Sequence, residues 1–295
     1  MTKEELIRVF GETLQNINDG FYRCFNVNTC KFDIIEFNRL RTLGGGSVFY
    51  DELKPIKKSD LPYFEKTEIY VENKDIILKA MEMGSKAVIL NPASKTTPGG
   101  GVERGSKACE EEICRRTNLV YSLYSFTDYK KTPYTKRKEF GRYPLNTRGG
   151  IYSPQVTIYK GPASEYYQCY HEPSYTNVIS VSAVNHPKIE NDGKMSKSMV
   201  YLTKDKIRAI FRIAILNKHS KLILTAFGCG AYNNPAPHVA EIFKEVIDEE
   251  EFKHSFEEIA FCILDDHNSI RPDNKEGNYK PFVNIFGEKK WHIKK

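Results

Sequence analysis

The sequence predicts an α/β fold with three layers, in which helices cover both faces of a mixed, largely parallel central sheet. Strand-like apolar runs alternate with helix-like apolar spacings along the chain after Thr67, as in sheets built from strand–helix–strand units. Two glycine-rich loops, residues 99–101 and 228–232, each follow a predicted strand and precede a predicted helix. We therefore expect both loops at the carboxyl edge of the sheet, where ligands bind in open α/β folds.

Apolar periodicity assigns the elements in chain order. Residues 1–20 have the spacing of an amphipathic helix and residues 21–65 are mixed. We therefore expect residues 1–66 to form a mostly helical extension, packed on a core domain of residues 67–295. The core pattern predicts strands at 67–71, 86–90, 178–184, 222–227 and 258–264, and helices at 75–83, 204–216 and 238–247. One more helix is predicted to begin at Ser106, its N-cap, with three acids in its first turns.

Composition limits the class of protein. The chain has 295 residues and a net charge of +6, which allows one sizeable core, or one core with an appendage. It has no apolar run of about 18 residues and no signal-peptide pattern at its start, so we expect neither a membrane span nor secretion. The seven cysteines form no C-x-x-C pair and favour a reduced intracellular compartment, cytoplasmic or nuclear. No metal or cofactor is implied, and we expect a monomer.

Two common nucleotide-binding motifs do not fit the glycine loops. Gly100 and Gly105 have P-loop spacing, but Ser106-Lys107 reverses the required Lys-Ser/Thr order. The second loop has Asn233 where a dinucleotide fingerprint needs its third glycine. ATPases and dinucleotide-dependent dehydrogenases are therefore disfavoured.

The first glycine loop is followed by three consecutive acids at a predicted helix start, residues 110–112. Glycines allow backbone N–H groups to approach a ligand closely, and a helix N-terminus attracts anions. Carboxylates beside a bound sugar phosphate are candidates for acid/base work on a glycosidic bond. The combination indicates an enzyme that acts on a nucleotide sugar.

The segment PGGGVERGSKACEEE, with its three glycines, spacer and acid pair, resembles the signature of the poly(ADP-ribose) glycohydrolases, which have a macrodomain fold. The stretches 151–154 and 226–234 resemble the microbial branch of that family, and the likeness covers roughly residues 71–264. One residue departs from the pattern, because Cys109 stands where the family has glutamine.

The resemblance implies the site. It makes Glu111 the general acid/base that hydrolyses the ribose–ribose bond of poly(ADP-ribose), and Glu110 the acid that binds the ribose, whereas Glu112 is expected to face solvent. The expected substrate contacts are Asn91, Ser94, Gly99, Gly100, Gly101, Val102, Gly228, Cys229, Gly230, Ala231 and Tyr232. Tyr232 is expected to pack on the sugar beside the scissile bond.

Two other functions stay open at this point. The chain could be a non-catalytic macrodomain that binds ADP-ribose, or a hydrolase of a single ADP-ribose on a protein or nucleic acid. Residues 129–148 hold seven Lys/Arg and one acid, a composition that could bind nucleic acid or another polyphosphate, although a solvated surface loop explains it better. The expected substrates are poly(ADP-ribose) or an ADP-ribosylated protein.

Overall fold

The computed structural model describes residues 1–36, 46–127, 142–266, 268–271 and 274–289. Its main sheet has seven strands in the order β3-β6-β7-β5-β8-β9-β4, and the last five in this order are mutually parallel. The strands are β3 (Val48–Tyr50), β4 (Glu68–Glu72), β5 (Ala87–Pro92), β6 (Gly150–Lys160), β7 (Cys169–Val181), β8 (Lys221–Leu224) and β9 (Glu258–Cys262). Because β6 and β3 run antiparallel to their neighbours, the sheet is mixed and largely parallel, as predicted.

Helices cover both faces of this sheet. The described helices are α1 (Lys3–Asp19), α2 (Ile76–Met83), α3 (Cys109–Arg116), α4 (Leu119–Tyr124), α5 (Lys197–Leu216), α6 (Ala236–Ile247) and α7 (Tyr279–Phe286). One apolar core joins the sheet to α5, α6 and α7, and a second joins it to α1, α2, α3 and α4. Alternate residues of β5 enter the two cores, Val88 the first and Ile89 the second, because successive strand side chains point to opposite faces. The three-layer arrangement is therefore confirmed.

The N-terminal extension differs from the mostly helical segment that we expected. It begins with α1, but a hairpin of β1 (Phe21–Asn26) and β2 (Lys31–Glu36) follows. Strand β3 then joins the main sheet at its edge, paired with β6. Buried and exposed residues alternate along β1. This is the period of a strand, and we did not recognise it in the sequence.

The N-terminal residues and helix α1 pack against α3 and the loop that precedes it. The hydroxyl of Thr13 donates a hydrogen bond to the carbonyl of Arg115, 2.8 Å away, and Lys107 Nζ donates one to the carbonyl of Met1 at 3.1 Å. Gly105 has φ +73°, and a Cβ added there would lie 2.6 Å from the carbonyl oxygen of Lys3. The backbone of the loop and the start of α1 are therefore in direct contact.

The predicted acidic helix, whose apolar stripe we expected to continue to Tyr124, is instead two helices, α3 and α4. It begins at Cys109, with Ala108 and not Ser106 as its N-cap. It is interrupted where the Asn118 side chain bonds to Thr157 of β6: the Thr157 N–H donates to Asn118 Oδ1 at 2.8 Å. This contact between residues distant in sequence fixes the break, so local apolar spacing did not reveal it.

Among the described residues, no helix is long and apolar enough to cross a membrane. All seven cysteines are free, and no three His, Cys, Asp or Glu side chains of the described part are grouped as metal ligands.

Candidate active site

A cleft of about 340 Å³ opens at the carboxyl edge of the sheet. It is bordered by the segments that follow β5, β7, β8 and β9. Strands β5 and β8 are neighbours in the centre of the sheet, so both glycine loops meet in this cleft, as the sequence predicted.

The first glycine loop binds the two acids through its own backbone. The N–H of Gly99 donates to Glu110 Oε1 at 3.1 Å, and the N–H of Gly101 donates to Glu111 Oε1 at 2.7 Å. The N–H of the middle glycine donates to the carbonyl of Thr97 at 2.8 Å. No N–H of the triplet is left for a ligand, which differs from our expectation that these groups would approach the substrate.

Close contact with the acids explains why this loop needs glycine. A Cβ on Gly100 would lie 2.5 Å from Glu111 Oε1 and 2.8 Å from Glu110 Oε2, and the residue has φ +61°. A Cβ on Gly101 would lie 2.2 Å from Ser106 Oγ. A side chain at either position would displace the carboxyl groups or the loop, so the packing of the acid pair requires glycine at residues 100 and 101.

Both carboxyl oxygens of Glu110 accept hydrogen bonds from the backbone. Its side chain is 4% exposed, and its second oxygen accepts from the N–H of Ser94 at 2.7 Å. Burial raises the pKa of Glu110 to about 8, against the lowering effect of the Ser94 N–H, and the charge of Glu111 adds to the increase. Glu110 therefore retains its proton near neutral pH.

Glu111 has one fixed and one free carboxyl oxygen. It lines the cleft and is 7% exposed. Oε1 is held by Gly101, whereas Oε2 has no hydrogen-bond partner in the described part of the chain. Glu112, expected to face solvent, is instead partly buried and accepts hydrogen bonds from Tyr167 Oη at 2.6 Å and Arg115 Nη1 at 3.0 Å. Of the three acids, Glu112 alone does not line the cleft.

The second glycine loop leaves its backbone donors open. Within the described residues, the N–H groups of Gly230, Ala231 and Tyr232 have no acceptor. Successive free N–H groups form a concave site for anions such as phosphate. Gly228 is needed here because it has φ +77° and a Cβ would lie 2.7 Å from that of Ala183.

Two side chains hold the second loop by donating hydrogen bonds to its carbonyl oxygens. Asn234 is 1% exposed, and its Nδ2 donates to the carbonyls of Val184 at 2.7 Å and Gly228 at 2.9 Å. Arg271 Nη1 donates to the carbonyl of Gly230 at 3.0 Å. With its carbonyl oxygens bound on this side, the loop presents its N–H groups to the cleft.

The structure brings most of the predicted site residues together. The predicted residues that line the cleft are Ser94, Gly100, Gly101, Glu110, Glu111, Gly228, Gly230, Ala231 and Tyr232. Cys109, which replaces the family glutamine, also lines it at the first position of α3. Burial raises the pKa of the Tyr232 hydroxyl, which is opposed by a hydrogen bond with Ser94.

Four residues that we predicted as substrate contacts do not line the cleft. Asn91 has no exposed surface and donates to Ser180 Oγ at 3.0 Å. It also forms a side-chain hydrogen bond with Glu110, which lowers the pKa of that acid. Gly99 is buried beneath Glu110. Val102 and Cys229 belong to the two apolar cores. Burial also raises the pKa of the Cys229 thiol, so it remains protonated and unreactive.

Sequence reasoning missed one end of the cleft. Asp266, Asn268, Ser269 and Asn278 line it beyond β9. The first three follow a strand that we did predict, so the carboxyl-edge rule could have found them. Asn278 precedes α7, a helix that we did not predict, and gave no comparable signal.

Comparison with protein families gives one match. The model of the microbial-type PARG catalytic domain, where PARG is poly(ADP-ribose) glycohydrolase, matches residues 11–161, just over half of the chain. Among curated proteins, none matches this chain.

Solved structures resemble nearly the whole chain. Poly(ADP-ribose) glycohydrolase from Thermomonospora curvata is 21% identical, with a TM-score of 0.75 over 96% of this chain and 100% of that one. The same enzyme bound to the inhibitor ADP-HPD is 22% identical, with a TM-score of 0.72 over 95% and 99% of the two chains. These two matches establish the macrodomain-like fold.

A Deinococcus radiodurans poly(ADP-ribose) glycohydrolase in complex with ADP-ribose is 26% identical, with a TM-score of 0.57 over 77% of this chain and 86% of that one. The family match covers the second half of α1, the first glycine loop and both cleft acids, which disfavours a non-catalytic reader. The chain therefore belongs to the microbial-type PARG catalytic-domain family and is a poly(ADP-ribose) glycohydrolase.

Proposed function

We propose that Glu111 is the general acid and base with which this poly(ADP-ribose) glycohydrolase cleaves the ribose–ribose bond, and that Glu110 holds the ribose beside it. The supporting observation is that the two carboxyl groups differ in their hydrogen bonds. Both oxygens of Glu110 accept backbone N–H groups, whereas Glu111 keeps Oε2 free at the cleft. Only a free oxygen can give a proton to the substrate and take one back.

The second loop supplies the site for the diphosphate of the bound ADP-ribose unit. Its three open N–H groups, at residues 230–232, suit phosphate oxygens. Tyr232, which lines the cleft, would pack on the ribose that carries the scissile bond. Relatives solved with ADP-ribose or ADP-HPD support a ligand of this size and chemistry.

The proposed reaction uses one carboxyl group twice. Protonated Glu111 gives its proton to the oxygen of the departing ribose as the glycosidic C–O bond breaks, and positive charge develops on the other ribose. The resulting Glu111 carboxylate takes a proton from water, and the hydroxide oxygen adds to the cationic carbon. The proton taken from water returns Glu111 to its protonated form for the next cleavage.

We also propose that the protein is an intracellular monomer and that its N-terminal extension ends near residue 66. The basic segment 129–148 lies mostly outside the described residues, but two of its cations are paired: Arg142 with Asp51, and Arg148 with Asp205 at 2.9 Å. These ion pairs weaken the case for direct nucleic-acid binding.

The test compares Glu111→Gln, Glu110→Gln and Glu112→Gln on poly(ADP-ribose) in one assay. Glu111→Gln should lower turnover by ~10²-fold or more, because the amide cannot transfer a proton, with ADP-ribose affinity retained. Glu110→Gln should fall between that variant and wild type. Glu112→Gln is the control for register and should change thermal stability more than turnover, through Tyr167 and Arg115. If Glu112→Gln is inactive and Glu111→Gln active, our assignment of the acids is wrong.

A further inference from the structure

Arg104 is the only lysine or arginine among the described residues that line the cleft. It ends the short helical turn Val102–Arg104, which directly follows the glycine triplet. Its side chain is exposed and makes no hydrogen bond or ion pair with any described residue. The adjacent acid, Glu103, accepts instead from Tyr124 Oη at 2.9 Å.

The backbone that carries Arg104 is firmly held. Its N–H donates to the carbonyl of Gly101 at 2.9 Å, and Gly101 in turn holds Glu111. On the other side, α1 contacts the next residues of the loop at Gly105 and Lys107. The guanidinium therefore projects from a base fixed relative to the acid pair, which reduces the entropy lost when it binds an anion.

The polymer carries a second diphosphate for which the two glycine loops provide no binding group. Cleavage of a polymer requires two ADP-ribose units, one on each side of Glu111, and each unit carries a diphosphate. The N–H groups of residues 230–232 can bind the diphosphate of one unit. The N–H groups of residues 99–101 cannot bind the other, because they hold Glu110, Glu111 and Thr97.

We propose that Arg104 binds the diphosphate of the ADP-ribose unit on the leaving side of the scissile bond. This inference rests on the proposed function and adds a second subsite to it. Arginine suits the role because its planar guanidinium donates two parallel hydrogen bonds to phosphate oxygens. The subsite makes the enzyme prefer polymer to a single ADP-ribose, since a single unit leaves it empty.

The experiment measures binding in the Glu111→Gln background, which slows cleavage. Glu111→Gln is compared with Glu111→Gln/Arg104→Gln for two ligands, free ADP-ribose and poly(ADP-ribose) of defined length. Loss of one charged hydrogen-bonding group at an exposed site should raise the polymer Kd by roughly fivefold to tenfold. The Kd for ADP-ribose should change by less than about twofold. For polymer, the slope of log K against log salt concentration should become shallower by about one, the value for one lost phosphate contact.

Lys95→Gln is the matched control, because it removes an exposed cation from the same segment between β5 and α3 that does not line the cleft. It should leave both Kd values unchanged, whereas Arg104→Lys should recover part of the polymer affinity. Equal weakening for ADP-ribose and polymer would place Arg104 on the other diphosphate and overturn the proposal, as would an unchanged polymer Kd.

Turnover separates this inference from the proposed function. If Glu111→Gln still cleaves polymer, the assignment of Glu111 fails. The KM of wild type and Arg104→Gln for polymer then tests Arg104 independently. An unchanged polymer KM or Kd with Glu111→Gln inactive counts against Arg104 alone.

Discussion

In the first glycine loop the N–H groups of Gly99 and Gly101 bind carboxylates of the protein itself, whereas in the second loop the N–H groups of residues 230–232 have no acceptor among the described residues. The two loops follow neighbouring parallel strands and meet in one cleft. The first loop fixes the geometry of the acids, and the second is preorganised for an anion. A glycine-rich sequence after a strand therefore does not define what the loop binds.

The difference makes the loops separable by mutation. Changes in the first loop should alter the chemical step, because they move carboxyl groups. Changes in the second should alter affinity, because they move N–H donors. Gly100→Ala, Glu110→Gln and Asn234→Ala test the two loops and the acids that the first loop holds, from the largest expected effect to the smallest. Gly230→Ala and Asn185→Ala serve as controls.

Gly100→Ala should lower kcat for poly(ADP-ribose) by ~10²-fold or more. Its Cβ would overlap the carboxyl groups of Glu111 and Glu110 at 2.5 and 2.8 Å, and small displacements of catalytic groups cost rate steeply. Steady-state kinetics and calorimetric titration of ADP-ribose measure the two effects, and affinity should fall much less than rate.

Gly230→Ala is its control, because a Cβ there would be in ordinary contact, 3.6 Å from Asn268 Cβ. It keeps the N–H group and should be close to wild type in both assays. An equal loss of rate in the two variants would show that the loops do not differ in this way.

Glu110 should make stability pH-dependent. Its pKa in the folded protein is raised to about 8, so the folded state binds more protons than the unfolded state between the unfolded pKa and that value. The free energy of unfolding should therefore decrease as pH rises from about 6 to about 8, by at most ~1.4 kcal/mol per pH unit from this group.

Urea unfolding of wild type and Glu110→Gln across this range measures the effect. The variant lacks the titrating carboxyl group, so its free energy of unfolding should decrease less steeply. Parallel curves would contradict the raised pKa.

Asn234→Ala should weaken ADP-ribose binding by about fivefold, close to the ~1 kcal/mol typical of a lost hydrogen bond. The second loop would lose its bonds from Nδ2 to Val184 and Gly228, while the acids stay in place. Calorimetry gives the affinity, and turnover at saturating polymer should be nearly unchanged. Asn185→Ala, at an exposed position nearby, should have no effect, and a fall in kcat larger than the loss of affinity would argue against separate roles.

The predictable part of the fold is the part that local patterns determine. β5 and β8 each contain a continuous apolar run. Asp75 is the N-cap of α2, and its side chain accepts from the N–H groups of Ile77 and Leu78. Strand β6 was not predicted, because Pro154 interrupts it where its pairing with β7 shifts register, and proline argues against a strand interior.

The site was predictable in position but not in its internal bonding. Spacing placed both glycine loops and both acids at one edge of the sheet. It could not show that Asn91 points beneath Glu110 or that Tyr167 reaches Glu112, because these contacts depend on how separate elements pack. Arg104 gave no signal in sequence, since its importance depends on lining the cleft.

The contact between α1 and the loop before α3 has a thermodynamic consequence. Because Lys3 touches the loop at Gly105 and Thr13 bonds to Arg115 of α3, the helix that carries the acid pair, docking of α1 and ordering of that segment are linked equilibria. Linkage is reciprocal. If docking of α1 favours ligand binding in the cleft, ligand binding favours docking of α1 by the same free energy. The amino-terminal helix should therefore exchange its amide hydrogens more slowly when the cleft is filled, although it does not line it.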